Sequence, residues 1–330
     1  MCGENQTFLT ELVLLGFRDM HQGKLIVLLM CLLIYLIILA GNILIIGLIV
    51  TSPRLHSPMY FFLCNLSSCE VIFTANIMPN MIYILWRGGG TISWSGCITQ
   101  FYIYSASGST ECLVLTLMAF DRYLAICNPL RYTSIMNSQT CAHLVVWAWL
   151  SGFLGMWIII ITLCNLHFCG SGIVVDHFFC DLEPILHLSS SDTSLVEMET
   201  LVYAMLMGIL PFGLIILSYL AIFCTIIRIP SEIGRQKAFS TCGSHLASVC
   251  IYFGTILILY LVPSQKRSVE INKILSLFYT ILTPLFNPII YSLRNQEMQA
   301  CFATLIYVFF PKSNRQCAKI KAVNKNHSTE

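Results

Sequence analysis

The sequence predicts an all-α membrane protein, a seven-transmembrane helix bundle, and three observations carry that expectation. The 330 residues are 57% apolar and only 10% charged, with a mean hydropathy of +0.77, whereas about a quarter of a soluble domain is charged. Apolar stretches of the ~17–25 residues that cross a hydrocarbon core occupy residues 25–50, 60–85, 101–126, 143–163, 201–227, 239–262 and 274–293. Basic residues collect at alternate connections. A backbone in lipid must satisfy its own hydrogen bonds, and these runs are far too long for barrel strands, so helices are the class that fits.

The leading segment, residues 1–24, contains polar and acidic residues and lacks a basic stretch followed by an apolar core. It does not read as a cleaved signal, and the first span is expected to insert itself. Orientation follows from Lys and Arg, which accumulate in cytoplasmic loops. Arg54, Arg122, Arg131, Arg228, Arg235, Lys237 and Arg294 flank alternate connections, and Lys312, Arg315, Lys319, Lys321 and Lys325 fill the tail. The long connection 164–200 has no Lys or Arg but carries Asp176, Asp181, Glu183, Asp192, Glu197 and Glu199. The third outer loop breaks the pattern with Lys266, Arg267 and Lys273, but the majority sets the orientation. The expected layout is an extracellular segment 1–24, a seven-span domain 25–293, and a cytoplasmic tail 294–330 with a short amphipathic helix. Asn5 in Asn5-Gln6-Thr7 is then a usable glycosylation site, while Asn65-Leu66-Ser67 lies inside a span and Asn326-His327-Ser328 in the tail.

Pro79, Gly152, Pro211, Pro284 and Pro288 interrupt the spans, where kinks are expected. Of the sixteen cysteines, Cys31, Cys64, Cys112, Cys224 and Cys250 sit in apolar runs, where a thiol behaves as a small hydrophobe. No CxxC pair suggests zinc or redox chemistry. A net charge of +2 gives no indication of nucleic acid, and membrane lipid is the implied surrounding.

Glu70 and Glu111 stand within apolar helices, where an ionisable group nearly always faces the interior and has a partner. Tyr104, Gly108, Glu111, Leu115 and Arg122 recur at helical spacing and form one stripe along the third span. Two neighbouring carboxylates there either share a proton or hold a cation between them.

Long motifs at the span ends resemble the odorant receptors, a branch of the rhodopsin-like seven-helix receptors. They are Leu55-His56-Ser57-Pro58-Met59-Tyr60-Phe61-Phe62, Met118-Ala119-Phe120-Asp121-Arg122-Tyr123-Leu124-Ala125-Ile126-Cys127, Ser218-Tyr219, Lys237-Ala238-Phe239-Ser240-Thr241-Cys242-Gly243-Ser244-His245-Leu246 and Asn287-Pro288-Ile289-Ile290-Tyr291-Ser292-Leu293-Arg294-Asn295. Arg131 and Tyr252-Phe253-Gly254 depart from the family's usual His and Phe-Tyr-Gly. Ser190 stands where the family tends to have Cys, so a second loop bridge from Cys169 is not expected.

The resemblance implies roles residue by residue. Cys97 and Cys180 would form a disulfide tying the second outer loop over the bundle. Glu70 and Glu111, with Asn42 and Asn287 in support, match the acidic pair implied for a sodium site, and no other cofactor is implied. Asp121, Arg122 and Tyr123 would hold an inactive-state ion pair that opens to a heterotrimeric G protein, with Tyr219, Tyr291, His245 and Pro288 in the moving parts. A ligand cavity would be lined by Tyr104, Ser105, Gly108, Ser109, Tyr203, Met207, Phe253, Ile256, Tyr260 and Thr280. That set carries hydroxyls and no charge, which suits a small, neutral, volatile or hydrophobic molecule. The implied subunit is the stimulatory olfactory type, which raises cyclic AMP, and the implied location is the plasma membrane. Cys301 and Cys317 are lipidation candidates, with a packed thiol as the simpler reading.

Two rivals are weaker. A transporter or channel would use the buried acids as an ion path, yet no repeated halves are visible. An intramembrane enzyme would need a nucleophile with its base or a metal triad, and neither HExxH nor GxSxG occurs.

Overall fold

The computed structural model describes residues 10–17, 23–168, 173–261 and 269–309, and these are overwhelmingly helical. A short strand, β1 (Glu11–Leu14), precedes α1 (Lys24–Thr51). A 3-10 turn at Pro53–Leu55 leads to α2 (Pro58–Arg87), with Pro58 at its first turn, where a missing N–H costs nothing. Gly88 ends α2 at φ 83°, a left-handed conformation that a Cβ disfavours. β2 (Gly90–Ser93) runs into α3 (Trp94–Cys127), capped by Ser93 Oγ accepting from the Gly96 N–H at 3.1 Å. α4 (Pro129–Ile135) and α5 (Ser138–Cys164) follow, the latter capped by Asn137. Next come β3 (Ile173–Val175), α6 (Leu182–Leu186) and α7 (Ser194–Ala204). α7 continues through a π-helical turn at Met205–Ile209 into α8 (Leu210–Ile227), ahead of α9 (Glu232–Leu261), α10 (Val269–Arg294) and α11 (Gln296–Phe309).

Among the described residues, five helical segments are long and apolar enough to cross a membrane: Lys24–Thr51, Pro58–Arg87, Ser138–Cys164, Ser194–Ile227 and Lys273–Ser292. α3 and α9, which cover the other two expected runs, are long but more polar. α3 carries Gln100, Glu111, Asp121 and Arg122, and α9 opens on Glu232, Arg235 and Lys237. α3 packs against α2, α5 and α8, so polar residues on it face protein rather than lipid. Apolar runs also underestimate the helices. α3 starts at Trp94 rather than 101, and α9 at Glu232, inside what the sequence suggested as an inner loop to Lys237.

Proline positions illustrate how freed carbonyls are recovered. Pro288 has no N–H to offer the Pro284 carbonyl one turn earlier, and Asn42 Nδ2 on α1 donates to that oxygen at 3.3 Å. Asn42 is fully buried and thereby ties α1 to α10. The π turn directly before Pro211 accommodates a second lost donor, as such turns commonly do.

α3 and α5 approach at Gly152. A Cβ there would lie 2.3 Å from Thr110 Oγ1, 2.9 Å from the Ala106 carbonyl oxygen and 3.2 Å from the Thr110 backbone nitrogen. The hydroxyl could rotate away but the backbone atoms cannot. Gly152→Ala is therefore expected to force the helices apart at a cost of about 1–3 kcal/mol, seen as a lowered melting temperature of the detergent-purified protein. An unchanged melting temperature would show that the approach is not tight.

One end of the bundle carries a three-stranded sheet in the order β2-β1-β3. β1 pairs antiparallel with β2 (Leu12 opposite Ile92) and parallel with β3 (Leu12 opposite Ile173). Leu12 and Leu14 are buried beneath it, in a cluster with Ile84, Ile98 and Val175.

Candidate functional site

Three groups of side chains line up along the bundle. At the sheet end, Cys97 and Cys180 form a disulfide, with Cα atoms 5.3 Å apart. Gln100, nearly two turns into α3, makes two backbone contacts that position it. Its Oε1 accepts from the Cys180 N–H at 3.0 Å and its Nε2 donates to the Asn76 carbonyl at 3.0 Å. Asn76 Nδ2 returns the bond to the Gln100 carbonyl at 2.8 Å. Gln100 was missed in the sequence, and only its burial as an uncharged amide on an apolar face could have flagged it.

Next to the disulfide, Phe178 and Phe179 are buried and His177 stacks on Phe178 at 4.6 Å. Burial holds His177 below the usual imidazole range, partly opposed by Asp181. Its Nδ1 accepts from the Phe179 N–H at 3.4 Å. Lys273 is not a loop residue, as its place in the sequence suggested. It sits in α10, 1% exposed, and its ammonium pairs with Asp176 Oδ1 at 2.7 Å. The basic residue that spoiled the charge pattern thus neutralises an acid of the opposite loop.

The expected cavity residues lie below this lid, and several of their polar groups are engaged. Tyr104 donates to Asp181 and meets Phe73, Phe101 and Phe179 edge-on. Tyr203 donates to the Gly152 carbonyl at 2.9 Å and Ser109 to that of Ser105 at 2.8 Å. Thr280, buried, turns its hydroxyl onto the Ser276 carbonyl. The Gly108 carbonyl accepts from Tyr252 at 2.8 Å. Phe253 packs on Phe212, ring centroids 4.4 Å apart, as a core residue. Met207 lies in the π turn and Ile256 is half-buried. The side chain of Tyr260 lies outside the described residues.

Midway down, Glu70 and Glu111 are both buried, Glu70 completely. Asn287 Nδ2 donates to Glu70 Oε1. Glu111 lies within electrostatic reach of Glu70. Four acceptor oxygens here, Glu70 Oε2, Glu111 Oε1, Asn42 Oδ1 and Asn287 Oδ1, are buried with no hydrogen-bond partner among the described residues. Such an arrangement is costly unless a proton or cation compensates it.

At the far end, Arg122 Nη2 lies 3.6 Å from Asp121 Oδ2, and Tyr132 on α4 donates to the other Asp121 oxygen at 2.8 Å. Tyr123 packs beside Ile222, Ile226 and Cys242. His245 is buried on α9 and binds two other helices. A carbonyl can only accept, so Nε2, 3.0 Å from the Leu115 oxygen of α3, carries the ring proton. Nδ1 of the neutral ring then accepts from the Tyr219 hydroxyl of α8 at 2.6 Å. Tyr291 is buried on α10. Cys301 is buried against the bundle, the packed reading of that thiol. Asn65 lies within α2 and accepts from Trp149 Nε1 at 3.1 Å, which fits a chance sequon. Asn5, Cys169 and Cys317 lie outside the described residues.

Membrane-length apolar helices with buried acids at mid-depth, a disulfide-tied lid at one end and the Arg122–Asp121 pair at the other define a multi-pass membrane protein. A family model described as olfactory receptor matches residues 30–308. The chain is 45% identical to olfactory receptor 6J1 of Homo sapiens over 290 residues, 88% of this chain and 83% of that protein. It is 41% identical to olfactory receptor 11A1 of Homo sapiens over 304 residues, covering 92% and 96%. It is 40% identical to olfactory receptor 1f45 of Rattus norvegicus over 311 residues, covering 94% and 99%. The chain belongs to the olfactory receptor family, whose members are seven-span membrane receptors that sense odorants through G proteins and are not enzymes.

Proposed function

We propose that the protein is an odorant receptor for a small, neutral, mostly apolar molecule, with the sheet end and N-terminus outside the cell and the Arg122 end facing the cytosol. The ligand would lie beneath the lid among Ser105, Gly108, Ser109, Met207 and Ile256, with Tyr104, Tyr203, Phe253, Tyr260 and Thr280 around them. None of these carries a charge, so nothing in the set would anchor an amine or a carboxylate. Asn5 would bear a glycan.

The observation that carries the signalling half is the His245 junction. One buried imidazole joins α3, α8 and α9 through two hydrogen bonds close to Arg122. A ligand that binds more tightly when α9 has swung outward shifts the population toward that arrangement. The same swing separates His245 from Leu115, frees Tyr219 and opens a crevice around Arg122 for a G protein of the stimulatory olfactory type. The test is a cyclic-AMP reporter screen of the full receptor against a broad volatile panel, with Arg122→Ala as control. Activators drawn only from charged compounds, or a response that survives Arg122→Ala, would overturn the reading.

The acid pair is read as a sodium site. Glu70 Oε2, Glu111 Oε1, Asn42 Oδ1 and Asn287 Oδ1 are all hard oxygen acceptors, which suit a cation of this kind. A shared proton would compensate the two carboxylates and leave the amide oxygens alone. The double variant Glu70→Gln, Glu111→Gln is expected to remove any difference in basal cyclic-AMP output, measured in membranes, between sodium and choline buffers. A wild-type output that varies with pH but not with sodium would favour the proton instead, and a double variant indistinguishable from wild type would discard the site.

A further inference from the structure

Tyr60 stands in the first turn of α2 and is buried. Its hydroxyl nonetheless reaches two polar groups far along the chain, at the corner where α10 passes into α11. It lies 3.0 Å from Asn295 Oδ1 and 2.6 Å from Glu297 Oε2, and a phenol has one proton to offer two acceptors. Asn295 Oδ1 already caps α11 by accepting from the Glu297 and Met298 N–H groups at 3.0 and 3.1 Å. The proton therefore goes to the nearer oxygen, that of Glu297, and a hydrogen bond to a carboxylate is stronger than one between neutral groups.

Packing holds the same corner from its apolar side. Met298 and Cys301 are buried in one cluster with Leu48, Leu55 and Tyr60, so α11 lies against α1 and the Pro53–Leu55 turn. Glu297 points the other way and is exposed. The ion pairs among the described residues are Arg122–Asp121 and Lys273–Asp176, so no described cation neutralises this acid. Arg122 lies within electrostatic reach of the Tyr60 hydroxyl, which places Glu297 at the Arg122 end of the bundle. An acid in the first turn of a helix is ordinary, because it complements the dipole. That role does not call for a buried tyrosine of another span to grip the carboxylate.

We infer that Tyr60 is a positioning residue for G-protein coupling: its hydroxyl fixes the Glu297 carboxylate at the rim of the Arg122 crevice, where the acid receives a basic side chain of the G protein. This rests on the proposed cytosolic placement of the Arg122 end. Without the hydroxyl, the Glu297 side chain spreads over several rotamers and must be ordered again each time a partner docks. With it, an exposed acid is already set in place by a buried group.

The test measures agonist-free nucleotide exchange by a purified stimulatory heterotrimer on membranes holding the full receptor, normalised to receptor content and read above receptor-free membranes. Tyr60→Phe keeps the ring and its packing and is expected to lower exchange about two- to tenfold, the entropy of ordering one side chain at an interface. Glu297→Ala should lower it at least as far, and adding Tyr60→Phe to that variant should change nothing more, because both act through one contact. Glu297→Gln keeps an acceptor for Tyr60 but carries no charge, and its exchange should fall as well; a clamp that only stabilised α11 would leave it like wild type. The inference is overturned if Tyr60→Phe exchanges like wild type, if its loss adds in full to that of Glu297→Ala, or if Glu297→Gln is unaffected. Arg122→Ala separates the two levels: undiminished exchange there overturns the cytosolic crevice and this inference together, whereas a loss with Arg122→Ala and none with Tyr60→Phe overturns this inference alone.

Discussion

Arg122→Ala is expected to silence odorant-driven cyclic-AMP production while leaving the receptor at the cell surface. Two effects oppose each other in this variant. Removing the guanidinium deletes the contact offered to the G protein, where a hydrogen bond to a charged group contributes about 1.5–3 kcal/mol, or roughly ten- to a hundredfold in coupling. It also releases Asp121, which would raise basal activity if that pair alone held the inactive form. The 3.6 Å separation is longer than a hydrogen bond, and Tyr132 keeps its own 2.8 Å bond to the acid, so release contributes less and the loss dominates. Concentration–response curves normalised to surface level, measured beside Asp121→Asn, decide it. A full-amplitude response from Arg122→Ala would remove Arg122 from the coupling mechanism.

Cys97→Ser should be equally severe for a different reason. The bridge closes a loop with a sequence separation of 83 residues, for which chain entropy gives about 4–5 kcal/mol. Losing it also loosens the Gln100 bond to the Cys180 N–H and the lid behind it. Cell-surface staining is expected to fall to background for Cys97→Ser and Cys180→Ser alike. Cys224→Ser, on an exposed thiol of α8, should stain like wild type. Normal staining and response from Cys97→Ser would show that the bridge is dispensable.

The sequence revealed those features whose chemistry is costly in lipid. Long apolar runs announce helices because the backbone has no alternative in hydrocarbon, and Glu70 and Glu111 stand out because ionisable groups there need a reason. Limits appeared where the same logic weakens. α3 and α9 keep polar residues because protein, not lipid, surrounds much of them, so an apolarity scan clips or misses their ends. β1 has four residues, and so short a run cannot be assigned from periodicity. The exchange between Gln100 and Asn76, and the Lys273–Asp176 pair, join elements far apart in the chain. Spacing along one helix carries no information about them. Tyr203 was placed on the right helix, but its hydroxyl partner depends on how closely α5 and α7 approach at Gly155, where an added Cβ would lie 2.8 Å from the Tyr203 ring.

The three-stranded sheet also orders the birth of the receptor. β1 leaves the ribosome first, yet its parallel neighbour β3 emerges only after four helices have been threaded into the bilayer. The central strand must therefore wait, half-paired with β2, until the segment that carries β3 arrives. Closure of that cap is a late, long-range step of the kind that folds slowly.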